Sequence, residues 1–207
     1  MNILIIAAGN NSSSQKLLEY ANAADYIICA DAGYEHAKSV GIVPDILVGD
    51  FDSLSEEPAE FLRKVKLPVE KDETDSLYAL RFAFSKGATN VVLYGGIGSR
   101  FDHSYANICL LRHAMIRDIP MVVTDGTTEV YLTDSHLTLK DKKGQTVSVY
   151  AFSDVCEGVT LKGFYYPLEN AMLEKYDIIG TSNVITEEVA QISVSCGNLL
   201  IVCNQLK

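Results

Sequence analysis

Six aspartates stand close to the ends of apolar runs. Asp31 follows Tyr26-Ile27-Ile28-Cys29-Ala30, and Asp50 and Asp52 follow Ile46-Leu47-Val48-Gly49. Asp72 and Asp75 lie in Asp72-Glu73-Thr74-Asp75, and Asp102 lies in the segment Gly95–His103 behind Val91–Tyr94. Open α/β sheets bind ligands at the carboxyl ends of their strands. Carboxylates gathered there repel one another unless a cation sits among them. A divalent metal carrying a polyphosphate is the chemistry this pattern suits.

Asp50-Phe51-Asp52 is a D-x-D. Alternate residues of extended backbone point the same way, so both carboxylates can reach one cation. A solvated acidic turn explains the same three residues. At Asp72-Glu73-Thr74-Asp75, acids and a threonine open a helical pattern, as plain N-capping would require. The same residues could give Asp75 to a metal and Thr74 to a phosphate. Gly95-Gly96-Ile97-Gly98-Ser99-Arg100-Phe101-Asp102-His103 is the richest segment. Its glycines let backbone N–H groups approach a phosphate, and the helix that follows offers its positive end. Arg100 supplies a planar fork for phosphate oxygens. Asp102 could bind metal or orient Arg100, and His103 could cap the helix or bind phosphate. The spacing is neither G-x-G-x-x-G nor G-x-x-x-x-G-K-[ST], so dinucleotide-type and Walker-type loops are both excluded. Asp31-Ala32-Gly33 adds a carboxylate at a helix entry. His36, His113 and His136 lack partners at metal-like spacing and read as ordinary surface or core residues.

Alternating elements must position these groups. Asn2–Ala8, Tyr26–Ala30, Ile46–Val48, Val91–Tyr94 and Met121–Thr124 read as strands, with a further short strand at Val69. Helices are predicted from the Ser12–Ser14 cap to Ala24, over Tyr34–Val40 ending at Gly41, from Ser55, from Thr74 to Gly87, and over His103–Arg117. The unbroken apolar runs suit strands buried on both faces of a mostly parallel sheet flanked by helices. From about Glu129 the texture becomes short alternating runs, which predict an all-β sandwich. Asp141-Lys142-Lys143-Gly144 reads as a hairpin turn, and Ala171–Tyr176 is the only stretch able to hold a helical turn. The fold class is therefore α/β, a mostly parallel sheet over residues 1–127 followed by a smaller all-β sandwich domain over 128–207.

Of the 207 residues, 48% are hydrophobic and 21% charged, enough to bury a core. A net charge of −10 argues against nucleic acid or an anionic membrane as partner, since both need basic patches. No apolar run is long enough to span a membrane, and Met1–Asn10 lacks a basic leader region, so a cytoplasmic protein is expected. The odd number of cysteines and the absence of CxxC suggest neither a disulfide framework nor a zinc site.

Taken together, the segments resemble the thiamine pyrophosphokinase (thiamine diphosphokinase) family. That family carries D-[AG]-G, then P-D-x-x-x-G-D-F-D-S, then D-x-T-D, then G-G-x-G-G-R-x-D-H. Here these stand as Asp31–Gly33, Pro44–Ser53, Asp72–Asp75 and Gly95–His103. Tyr165-Tyr166-Pro167-Leu168 resembles the family's strand before its thiamine loop, and Thr181-Ser182-Asn183 its Ser-Asn element. The resemblance implies transfer of diphosphate from ATP to the thiamine hydroxyl, with Mg²⁺ as cofactor and a homodimer as the assembly. It implies Asp50, Asp52 and Asp75 as metal ligands and, with Arg100 and Asp102, as catalytic groups. The general base is left between Asp75 and Asp52. Asp31, Ser53, Asp72, Thr74, Gly95, Gly96, Gly98, Arg100 and His103 are implied at ATP and its phosphates. Tyr166, Ser182 and Asn183 are implied at thiamine. The chain departs from the family pattern at Ser99, which replaces the second glycine of Gly-Gly-Arg. It also lacks the tryptophan on which some members stack thiamine, and it has Gly180 where those members have a serine. Two alternatives share the carboxylates: a D-x-D nucleotide-sugar or nucleotidyl transferase, and a non-catalytic thiamine or nucleotide sensor.

Overall fold

A computed structural model describes residues 1–51, 63–68 and 72–205. The chain divides into two compact units, Met1–Thr127 and Thr128–Lys207.

The first unit is built on parallel strands β1 (Asn2–Ile6), β2 (Tyr26–Ala30), β3 (Ile46–Gly49), β4 (Lys64–Lys66), β5 (Asn90–Tyr94) and β6 (Met121–Thr124). They lie in the order β6-β5-β1-β2-β3-β4, and every described pairing among them is parallel. The helices are α1 (Ser14–Ala23), α2 (Gly33–Ser39), α3 (Asp75–Ser85) and α4 (Phe101–Met115). Burial on both faces explains the apolar runs: Ile3, Leu4, Ile5 and Ile6 are all buried. Leu4 and Ile6 pack with Cys29 and Leu47 against Leu17 of α1 and Ala37 of α2. By strand alternation Ile3 and Ile5 face the other way, and α3 packs against β1, β2 and β3. Truncating one such side chain, as in Leu4→Ala, would cost about 2–5 kcal/mol.

Local signals set the helix ends. The Ser13 hydroxyl accepts from Lys16 N–H, and the Thr74 hydroxyl accepts from Leu77 N–H. Gly41 and Gly87 follow α2 and α3 with φ of 76° and 80°. Helix α4 begins two residues before the expected His103. Its N-cap is Arg100, with no side-chain cap bond, so His103 is not the cap. The expected helix from Ser55 and the expected strand at Val69 lie outside the described residues; Lys64–Lys66 is the strand that pairs with β3.

The second unit is a β-sandwich. Strands β7 (Thr128–Thr133), β8 (His136–Lys140), β9 (Thr146–Ala151), β10 (Val155–Lys162), β11 (Leu168–Glu174), β12 (Asn183–Val184), β13 (Val189–Ser193) and β14 (Leu199–Asn204) form two antiparallel layers. One runs β12-β9-β14-β7 and the other β11-β10-β13-β8. Alternate residues meet in one core, among them Val147, Val149, Leu161, Leu173, Ile192 and Ile201.

Three expectations need correction here. Asp141–Gly144 has turn geometry, with φ of 57° at Asp141 and 86° at Gly144. It does not close a hairpin, because β8 pairs with β13 whereas β9 pairs with β12 and β14. Ala171–Tyr176 holds no helical turn; most of it belongs to β11. Tyr165 and Tyr166 fall between β10 and β11, where Gly163 (φ 82°) has ended the strand.

Candidate functional site

Strand β1 is the topological switch point. The chain steps from β1 to β2 on one side, and later places β5 on the other side. Where the strand order reverses in this way, a ligand crevice is expected at the carboxyl ends of the strands. A cavity of about 390 Å³ lies there, lined by residues 7–10 behind β1, 30–32 behind β2, 74–76 opening α3, and by the Gly95–Arg100 loop with the first turns of α4.

Backbone contacts make its floor rigid. Beyond the paired strands, Ala7 N–H donates to Tyr94 C=O at 2.8 Å, Gly9 N–H to Gly95 C=O at 2.8 Å, and Asn10 N–H to Ile97 C=O at 2.7 Å. A Cβ on Gly9 would stand 2.3 Å from the Gly95 oxygen, and one on Gly95 (φ 68°) 2.2 Å from the Ala7 oxygen. Only glycine allows this approach. Helix α4 fixes the second loop from below. The Ser104 hydroxyl accepts from Gly98 N–H at 3.0 Å, and the buried Asn107 amide donates to Gly96 C=O at 2.9 Å. Beneath the first loop, the Tyr94 hydroxyl donates to Asn11 Oδ1 at 2.7 Å and lies 2.8 Å from Ser13 C=O. Burial raises the Tyr94 pKa, so this anchor keeps its proton.

The cavity gathers Asp31, Thr74, Asp75, Gly95, Gly96, Gly98, Arg100 and His103. Asp31 is left-handed (φ 47°), and the end of β3 crowds it, since a Cβ on Gly49 would lie 3.0 Å from its Cα. Phe51 is also left-handed, at φ 66°. Left-handed non-glycine backbone at Asp31 and at Phe51 is what sites over-determined by their surroundings show. Asp50, Asp72 and Asp102 do not line the cavity. Asp52 and Ser53 lie outside the described residues. Asp102 instead holds Arg100: Nη2 donates to Oδ2 at 2.7 Å and Nε to Oδ1 at 3.3 Å. The Arg100 hydrogen bond, then the His103 N–H, hold the Asp102 carboxyl below its usual range, and the hydrogen bond to Asp102 raises Arg100.

Among the described residues, no group of three His, Cys, Asp or Glu side chains stands close enough to hold a metal ion. Asp31 and Asp75 nevertheless share one cavity with a glycine loop and an arginine. Hard carboxylate oxygens, few in number and beside a glycine loop, fit Mg²⁺, which takes one or two protein carboxylates and completes its shell with phosphate oxygens and water.

In the second unit, Asn183 is buried. Its Oδ1 accepts from Tyr166 N–H at 3.0 Å and from Val184 N–H at 2.9 Å, and its Nδ2 donates to Tyr166 C=O at 2.7 Å. The Asn183 side chain thereby clamps the Tyr166 backbone. Ser182 is left-handed (φ 60°), and its N–H donates to Ser148 Oγ at 3.0 Å. Tyr165 and Tyr166 are 66% and 65% exposed and meet edge to face, with ring centroids 4.8 Å apart. Strand alternation therefore does not choose between them.

Sequence reasoning missed the β1 loop, Ser104 and Asn107. The signal for the loop was present, since Gly9 follows an apolar run just as Gly95 does. Ser104 and Asn107 also carried one: two polar residues three apart on a helix directly behind a glycine loop.

An all-parallel switch-point site with a glycine cradle, carboxylates and an arginine, joined in one chain to a β-sandwich, defines a phosphate-handling α/β protein with a second, all-β ligand unit. Comparison narrows the class. The family model described as thiamin pyrophosphokinase, catalytic domain, matches residues 17–123, and that described as thiamin pyrophosphokinase, vitamin B1 binding domain, matches residues 135–201. The chain belongs to the thiamin pyrophosphokinase family. It is 28% identical to the thiamine pyrophosphokinase of Bacillus subtilis, covering 97% of each chain. The crystal structure of thiamine pyrophosphokinase from Bacillus subtilis superposes with a TM-score of 0.90 at 27% identity over 99% of each chain. That of thiamin pyrophosphokinase from Geobacillus thermodenitrificans gives 0.86 at 28% identity over 100% of this chain and 99% of the other.

Proposed function

We propose that the chain transfers diphosphate from ATP to the hydroxyl of thiamine, giving thiamine diphosphate and AMP. The observation that carries this reading is the convergence of Asp31, Asp75, Arg100 and the Gly95–Gly98 loop in one switch-point cavity, in a chain matched by both domain models of the family. The thiamine oxygen forms a bond to the β-phosphorus of ATP, the bond from that phosphorus to the α–β bridging oxygen breaks, and AMP leaves with the bridging oxygen. The hydroxyl proton goes to a carboxylate, Asp75 or Asp52. Little covalent work falls to the protein, so positioning and charge stabilisation dominate. Loop N–H groups and Arg100 stabilise charge on the transferred group. Asp102 keeps the guanidinium in place. Asp50, Asp52 and Asp75, with Asp31 nearby, would hold Mg²⁺, which supplies neutralisation of polyphosphate charge when bound. Ser53, Asp72, Thr74 and His103 complete the ATP side, and Tyr166 with Ser182 the thiamine side, while Asn183 holds Tyr166.

Among the described residues no helix is long and apolar enough to cross a membrane. A cytoplasmic enzyme without nucleic-acid or membrane partners is part of the proposal, and the net charge of −10 supports it on the side of polyanionic partners. Tyr176, Ile178 and Ile179 are exposed in the second unit and support a homodimer. The transferase and sensor alternatives draw no support from the comparisons. The deciding measurement is AMP release from ATP with and without thiamine. Release that does not depend on thiamine rejects the proposal.

A further inference from the structure

The Gly9–Asn10 peptide is gripped at both ends. Its N–H, on Asn10, donates to Ile97 C=O at 2.7 Å. Its C=O, on Gly9, accepts from His36 Nε2 at 2.6 Å. A carbonyl oxygen cannot donate, so His36 carries a proton on Nε2. The ring reaches this carbonyl because α2 enters against the end of β1: a Cβ on Gly33 would stand 2.0 Å from the Ile6 oxygen. Helix, strand end and loop are thereby packed backbone on backbone.

A peptide plane held at both ends cannot rotate. Its orientation sets the direction in which the next side chain leaves, and that side chain, Asn10, lines the cavity with Asp31 and the Gly95–Gly98 loop. The loop has no Cβ at Gly9 to restrict it, so without the His36 bond only the two cross-loop bonds from Gly9 N–H and Asn10 N–H would define it. His36 itself does not line the cavity.

We infer that Asn10 is a nucleotide-contacting residue of this site and that His36 is its positioning residue, acting through the Gly9–Asn10 peptide. The inference rests on the proposed ATP site and extends it to a loop outside the recognised motifs. A carboxamide offers both a donor and an acceptor, so Asn10 suits the polar edge of a nucleoside or a phosphate oxygen, and it is a substrate contact independent of the carboxylates.

The test uses the full chain and MgATP, with binding read by calorimetry in the absence of thiamine and turnover read as AMP release. His36→Leu keeps bulk and removes the donor. It should weaken MgATP binding and raise the ATP KM about fivefold, the scale of one lost hydrogen bond, with the thiamine KM within twofold of the parent. His36→Gln, which retains an N–H at similar reach, should restore parent affinity. Asn10→Ala should weaken MgATP to a similar degree, and His36→Leu/Asn10→Ala should be no worse than Asn10→Ala alone, because the two act in series. Parent-like MgATP binding by His36→Leu overturns the inference. So does a folded His36→Gln that fails to restore it, or a double variant whose losses multiply. An inactive parent that still binds MgATP in a His36-dependent way would reject the proposed reaction and keep this inference.

Discussion

Asn183 takes both main-chain polar groups of Tyr166, accepting its N–H at 3.0 Å and donating to its C=O at 2.7 Å. The tyrosine ring is exposed, so its position is set largely through its backbone and by its edge-to-face contact with Tyr165. If Tyr166 presents a face to the cationic thiazolium, Tyr166→Leu weakens thiamine by about 1–2 kcal/mol, roughly ten- to thirtyfold, and leaves the ATP KM alone. Asn183→Ala should reproduce that loss without touching the ring, and also lower stability by about 1 kcal/mol, because it strips partners from partly buried backbone groups. Thiamine titration of both variants beside Tyr165→Leu decides. A loss confined to Tyr165→Leu would transfer the role to the neighbouring ring.

Asp75 opens α3 and lines the cavity. Asp75→Asn keeps its shape and removes its charge. Turnover should fall at least about a hundredfold, the scale seen when one electrostatic group is removed from a transition state. The fold should survive, since the Thr74 cap bond to Leu77 is untouched. Near-parent, magnesium-dependent AMP release by a folded Asp75→Asn protein would place the centre elsewhere.

How far the sequence could be read varies by half. Strands β1, β2, β3, β5 and β6 were legible because burial on both faces leaves an unbroken apolar run, and helix ends because Ser13, Thr74, Gly41 and Gly87 act locally. Strand β11 was not: of its seven residues only Leu173 is buried, so no alternation marks it. Local chemistry at Asp141–Gly144 was read correctly as a turn, but which sheet the next strand joins depends on β13 and β14, far along the chain. The site divides in the same way. Motif residues Asp31, Thr74, Asp75 and Gly95–Arg100 could be named in advance. His36, with no motif partner, matters only through a carbonyl that the fold brings to it.

Five free cysteines differ sharply in burial. Burial pushes Cys203 up to about 12 and raises Cys29 and Cys156 as well. A raised thiol pKa leaves almost no thiolate at pH 8, and thiolate is the reactive form. Cys196 is exposed and Cys109 half-buried. In the native protein at pH 8, Cys196 should react promptly with a disulfide reagent, Cys109 more slowly, and the other three only with denaturant. Prompt labelling of Cys203 in the folded protein would contradict its burial.

Gly180 stands where some members of the family have a serine. Its backbone lies against β9: a Cβ would stand 1.9 Å from the Val149 oxygen, which is backbone and cannot move aside as a side-chain tip would. Gly180 C=O also accepts from Val149 N–H at 2.9 Å, and Ser182 N–H donates to Ser148 Oγ, so this short segment is stitched along one strand. Inserting a side chain must push the segment off β9 or distort both. Gly180→Ser should therefore cost about 2 kcal/mol from overpacking, roughly 4–8 °C in Tm for a chain of this size. It should also weaken thiamine, because Asn183 and its clamp on Tyr166 lie at the end of the displaced segment. Gly41→Ala is the control: Gly41 also has a positive φ, 76°, but nothing lies within 4 Å of a Cβ there. Only backbone strain remains at that position, about 1 kcal/mol, and thiamine affinity should be unchanged. Paired melting curves and thiamine titrations separate the two effects. If Gly180→Ser melts with the parent and binds thiamine as tightly, the segment is free to shift and the serine of other members can be restored at no loss.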